Sequence, residues 1–168
     1  MELKGKAFKF GDDINTDLII SGKYKFKTLD MAELAKHVLE DARPGFYNEV
    51  SSGDFIVAGK NFGCGSSREQ APLAIKFANI SGVIAKSFAR IFYRNAINVG
   101  LPVIICEEAK KIDEGDKILI DLQKGKIVNE TKKITLDASP IPGFMMEILN
   151  DGGLIEYFNK GKEFNNVL

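Results

Sequence analysis

The stretch GKNFGCGSSREQAPLA, Gly59 to Ala74, gathers three glycines, a cysteine, two serines and an arginine just before a helix-like run. That is a combination suited to holding an anion. Gly63 and Gly65 let backbone N–H groups approach a ligand, Ser66 and Ser67 add hydroxyl donors, and Arg68 adds a planar fork that matches a carboxylate. The plainer reading is a tight turn with a serine N-cap. Two other chemistries are excluded by spacing. A dinucleotide fingerprint requires glycine where Arg68 stands, and a Walker A loop requires G-x-x-x-x-G-K-[ST]. A serine hydrolase fits poorly, because the only histidine, His37, falls on the polar side of its predicted helix and reads as a solvated residue. A nucleophilic or basic serine here must be activated by fixed dipoles and cations.

Asp13-Ile14-Asn15-Thr16-Asp17 imitates the start of an EF-hand, but Leu18 stands where the loop needs glycine and Tyr24 where it needs glutamate. Its residue types suit Asx turns and capping, or a supporting role for Thr16 and Asp17 in a site. Cys64, between two glycines, is either a reactive thiol or a small residue in a crowded turn. Cys106 ends an apolar run and reads as core. Two cysteines cannot supply the thiolate set of an iron–sulfur cluster. Arg90 and Arg94 lie one helical turn apart and read as surface or ion-pair residues.

The elements that must position these residues follow from periodicity. Lys4–Phe10 alternates and predicts a strand. GDDINTD is a turn-rich loop, and Ser21–Thr28 an exposed one. Asp30 caps a predicted helix through Glu40. ARPGFYNEVSSGD reads as a linker. From Asp54 to Cys106 the pattern is strand, helix, strand, helix, strand, a parallel βαβαβ unit. Its first helix runs from about Arg68 to Asn79, with Pro72 delaying the regular part. Ser87 caps the second, FARIFYRNAIN. A meander follows, KILIDL, KIVNE and KITLD, and then two short helices separated at Asp151-Gly152-Gly153. The expected fold class is α/β with a mixed sheet around that parallel unit, in one domain spanning 1–168.

Composition narrows the function classes. The chain has 168 residues, 45% hydrophobic and 27% charged, ordinary values for a globular domain. Lys+Arg and Asp+Glu both count 23, so no bulk field favours nucleic acid or a membrane surface. The run MELKGKAFKFGDD has no apolar h-region, and no segment approaches a membrane span. Cytoplasmic thiols and a cytoplasmic location are expected.

Two blocks are more specific than any pattern: Asn61-Phe62-Gly63-Cys64-Gly65-Ser66-Ser67-Arg68-Glu69 and Lys86-Ser87-Phe88-Ala89-Arg90-Ile91-Phe92-Tyr93-Arg94-Asn95-Ala96. With Asp12–Asp17 as a weaker third, they resemble the small subunits of 3-isopropylmalate dehydratase, the swivel-domain family of the aconitase superfamily. The resemblance covers most of the chain and implies a swivelling β/β/α domain. It implies a hydro-lyase of leucine biosynthesis that moves a hydroxyl between neighbouring carbons of a small hydroxy-dicarboxylate. It implies that this chain binds no cofactor itself and works with a large subunit carrying a four-iron, four-sulfur cluster. In the roles so implied, Ser66 is the base, Ser67 and Arg68 hold substrate carboxylate, and Thr16 and Asp17 order the site. Substrate choice falls to Tyr24–Thr28, where Phe26 favours an apolar side group and Lys27, in an alignment shifted by one, an extra carboxylate. Homoaconitase-type and 2,3-dimethylmalate-type enzymes share this chemistry. A stand-alone anion-binding regulatory module is the alternative from a different class.

Overall fold

The computed structural model describes residues 1–25, 28 and 30–163. Strand β1 (Glu2–Lys9) is followed by a one-turn helix α1 (Thr16–Ile19), capped by the Asn15 carboxamide oxygen, which accepts from the Leu18 N–H at 2.9 Å. The segment Ser21–Thr28, expected as a loop, contains a helical turn α2 (Gly22–Lys25). The helix predicted from Asp30 to Glu40 is shorter, α3 (Met31–Ala35), although Asp30 caps it as expected. The reason is tertiary. Leu39 adopts φ 52° and gives its N–H to the Ile19 carbonyl at 2.8 Å, a bond that a continuing helix could not make. The predicted linker contains α4 (Phe46–Glu49), whose Phe46 is buried and meets Phe8 and Phe10 edge-on.

The parallel unit follows: β2 (Phe55–Ala58), α5 (Gln70–Phe77), β3 (Gly82–Ala85), α6 (Arg90–Asn98) and β4 (Val103–Ile105). Every residue of FIVA and GVIA is buried, the pattern of strands covered on both faces. Neither helix has the serine cap the sequence suggested. Glu69 precedes α5 and Ala89 precedes α6, and neither side chain caps. The Ser87 hydroxyl instead accepts from the Asn61 N–H, 2.9 Å away. The meander is β5 (Lys117–Asp121), β6 (Lys126–Asn129) and β7 (Ile134–Asp137), with buried and accessible residues alternating in β5 and β6 as in a one-sided sheet. Two helices, α7 (Gly143–Asp151) and α8 (Leu154–Asn159), close the chain.

All seven strands form one mixed sheet in the order β4-β3-β2-β1-β5-β6-β7. The first four are mutually parallel, so β1 extends the predicted βαβαβ unit by one strand. The remaining three are antiparallel, joined through β1 and β5. No described helix is long and apolar enough to cross a membrane.

Candidate active site

The chemistry-bearing residues lie in the loops that leave the C-terminal ends of β1, β2 and β3. In open α/β sheets this end collects ligand sites, because adjacent parallel strands deliver their loops side by side. Here the three loops are tied together by backbone. The β2 loop is the middle thread. Toward the β1 loop, Asp13 N–H donates to Lys60 O (2.8 Å), Gly63 N–H to Ile14 O (2.7 Å) and Thr16 N–H to Cys64 O (2.9 Å). Toward the β3 loop, Phe62 N–H donates to Ser87 O (3.0 Å) and Ala89 N–H to Phe62 O (2.9 Å). Side chains reinforce the seam. The Asp12 carboxylate accepts from Lys60 N–H at 2.7 Å, and Asn61 donates to Asp13 at 2.9 Å.

Gly63 has φ +79° and lies on the Phe92 ring, where an added Cβ would sit 2.1 Å from Cγ. Gly65 has φ +89°. Both therefore need glycine for conformation, and Gly63 needs it for space as well. The consequence is a rigid turn that presents Ser66 and Ser67, both exposed.

Thr16 is buried, and its hydroxyl donates to the Ser66 carbonyl at 2.8 Å, so it fixes the turn from below. Arg68 is largely covered. Its Nη1 donates to the Ile20 carbonyl at 3.2 Å and forms a close ion pair with Asp17. The Nε–Nη2 edge of the fork remains for a ligand. A cavity of about 270 Å³ opens here, lined by Thr16, Ser66, Ser67 and Arg68 together with Arg90 and Asn95 of α6. This corrects the helix-mouth reading: α5 begins only at Gln70 with no side-chain cap, and the serines line a cavity that α6 residues also line.

The structure thus brings Thr16, Ser66, Ser67 and Arg68 to one cavity and attaches Asp17 to it through Arg68. Phe26 and Lys27 lie outside the described residues. Arg90 and Asn95 were missed as site residues. The usable signal was position, since Arg90 opens the helix that follows a parallel strand. His37 is not the solvated residue expected. It is half-buried, its ring stacks on Tyr24 (centroids 3.7 Å apart, planes 3° from parallel), and its Nδ1 lies 2.7 Å from Glu40 Oε2. That contact, with help from Tyr24, holds the Glu40 carboxyl below its ordinary value.

The donors do not suit a metal cluster. Cys106 is fully buried, and burial pushes its thiol up. Among the described residues no three His, Cys, Asp or Glu side chains converge on one point.

Comparison with known proteins identifies the family of the chain. The family model of the aconitase C-terminal domain matches residues 35–108. The small subunit 2 of 3-isopropylmalate dehydratase from Archaeoglobus fulgidus is 59% identical over 160 residues, covering 95% of this chain and 96% of that one. The small subunit from Methanosarcina mazei is 55% identical, covering 94% and 97%. The crystal structure of 3-isopropylmalate dehydratase from Methanocaldococcus jannaschii superimposes with a TM-score of 0.91 at 53% identity, covering 96% of this chain and 95% of that one. With the seven-stranded mixed sheet and the glycine–serine–arginine turn it carries, the chain belongs to the 3-isopropylmalate dehydratase small-subunit family of the aconitase superfamily.

Proposed function

We propose that this chain, as one swivel domain over 1–168, is the small subunit of a cytoplasmic 3-isopropylmalate dehydratase. The enzyme interconverts 2-isopropylmalate and 3-isopropylmalate by dehydration and rehydration in leucine biosynthesis. The observation that carries the reading is the exposed Ser66 on a turn tied down by backbone bonds, lining one cavity with Arg68.

In this reading Ser66 Oγ, held as its alkoxide, takes the proton from the substrate carbon, and the freed electron pair forms the double bond as the hydroxyl leaves the neighbouring carbon. A serine hydroxyl scarcely ionises in water. Its alkoxide becomes usable when the oxygen is held by a preorganised frame and the substrate excludes solvent. Thr16 holds the Ser66 backbone, and the bonds to Cys64 and Ile14 hold the turn. Ser67 and the Nε–Nη2 edge of Arg68 receive a substrate carboxylate, while Asp17 and the Ile20 carbonyl hold Nη1. Phe26 would meet the substrate's side group, with Lys27 beside it in the chain.

The thiols of this chain do not suit the four-iron, four-sulfur cluster that such a dehydration uses as a Lewis acid at the departing hydroxyl. The reading therefore assigns the cluster to a large-subunit partner. Reconstitution tests it: the purified chain carries no iron and is inactive, and adding a cluster-bearing large subunit gives turnover of 3-isopropylmalate. Turnover by this chain alone, or none after reconstitution, overturns the proposal.

A further inference from the structure

Helix α2 is four residues long, too short to persist on its own backbone bonds. The described contacts of Lys23 and Tyr24 go to one corner of the chain, residues 37–41. The Tyr24 ring stacks on His37, and the Lys23 ammonium, 4.7 Å from the Tyr24 centroid, pairs with Asp41 at 3.2 Å. Glu40 holds the imidazole at Nδ1. The same corner is where α3 breaks off, so that Leu39 can give its N–H to the Ile19 carbonyl. It therefore grips the segment Ile19–Tyr24 at three places. That segment also meets the cavity, since the Ile20 carbonyl accepts from Arg68. Phe26 lies two residues beyond Tyr24 in the chain. Past it, the Asp30 N–H donates to Thr28 Oγ1 at 3.0 Å, and Asp30 caps α3. The two residues that bracket the substrate-choosing stretch, Tyr24 and Thr28, are thus fastened to α3 and to the corner after it.

We propose that His37 is a positioning residue for substrate choice: its stack on Tyr24 fixes where the chain enters Phe26 and Lys27. Two extended residues span only about 7 Å, so a displaced Tyr24 displaces Phe26 with it. A turn this short has no stiffness of its own to replace the lost ring contact. The single histidine of the chain then serves through its flat face and its Nδ1 bond, and it does not line the cavity as a base would.

This rests on the proposed dehydratase reading, and the experiment separates the two. The reconstituted wild-type enzyme is first assayed on 3-isopropylmalate; absence of turnover there defeats the dehydratase reading and this role with it. With turnover established, kcat/KM is compared for 3-isopropylmalate and for 3-methylmalate, its analogue with a smaller side group. H37A should lower the preference for 3-isopropylmalate by about 2–10-fold, the range set by the worth of a stacked ring pair, chiefly through KM. H37F, which keeps a flat ring, should recover most of the preference. K36A should leave it unchanged, because Lys36 pairs with Glu33 instead. In an F26A background H37A should change the preference no further, since the two residues act as one unit. The stack itself is read on the purified chain by proton NMR, where the only histidine gives the only imidazole signals. They should lie upfield in wild type and return to ordinary positions in Y24L. The proposal is overturned, with the dehydratase reading intact, if H37A keeps the wild-type preference. It is equally overturned if K36A matches H37A, if the H37A and F26A effects simply add, or if Y24L leaves the imidazole signals where they were.

Discussion

Thr16 is a buried polar side chain whose function is carried out by another residue. Its hydroxyl meets the Ser66 carbonyl and nothing of a ligand's need reach it. Ser66, by contrast, is exposed and supports no packing, so its removal separates chemistry from stability. Ser66→Ala is expected to lower kcat of the reconstituted enzyme by about 10²–10⁴-fold, the usual effect of deleting a positioned acid–base group. Its thermal unfolding and subunit association should match wild type. A variant with near-normal kcat would put the base elsewhere. Ser66, Ser67 and Arg68 were legible in the sequence because their chemistry and their spacing occur together in one turn. Arg90 was not, because nothing in a run of helical residues says that its first side chain lines the cavity that Arg68, 22 positions earlier, also lines.

At the level of elements, the site depends on how closely the β2 loop approaches α6. Gly63 lies on Phe92, and Phe92 stacks with Phe88 and meets Phe62 edge-on. Gly63→Ala adds a methyl with no free space and requires a residue other than glycine to hold φ +79°. We expect a loss of roughly 2–4 kcal/mol in chemical unfolding, with kcat falling as the turn shifts. Unchanged stability would mean that the loop can retreat from the ring without consequence. The strands of the parallel unit were readable because FIVA, GVIA and VII are short continuous apolar runs between turn residues. The helical segments were less readable for a definite reason. Leu39 leaves the helical conformation to meet the Ile19 carbonyl, and Ser87 turns from its own helix to the Asn61 N–H. Both are decided by a partner distant in sequence, which no local propensity encodes.

Across the whole molecule, Asp113 joins the two halves of the sheet. It accepts from Lys9 at the end of β1 (2.8 Å) and from Lys132 beyond β6 (2.5 Å). The Lys132 bond, then that of Lys9, holds its carboxyl down from an ordinary 3.8 to about 2. A carboxyl depressed in the folded state stabilises above its unfolded value and loses that effect as pH falls through the folded one. The melting temperatures of wild type and Asp113→Asn should therefore differ by a constant amount from pH 7 down to about 5. The gap should then close as pH approaches about 2. The pair is exposed and screened, so the gap should not exceed about 4 °C. A gap that persists at the acid end would show that the asparagine acts through something other than charge.

Strand β1 has one further consequence, for the order in which the chain can fold as it is made. Its two ends serve different neighbours: Ala7–Lys9 align with Phe55–Val57 of β2, whereas Glu2–Lys6 align with Lys117–Asp121 of β5. The parallel half, with the three loops of the site, has all its strands once β4 leaves the ribosome. The first five residues of β1 then still have their ladder groups unpaired, waiting for β5 to emerge. A nascent chain arrested short of Lys117 would hold the nearly formed candidate site beside an open strand edge. That interval is when the growing chain is most exposed to pairing with another chain instead of with itself.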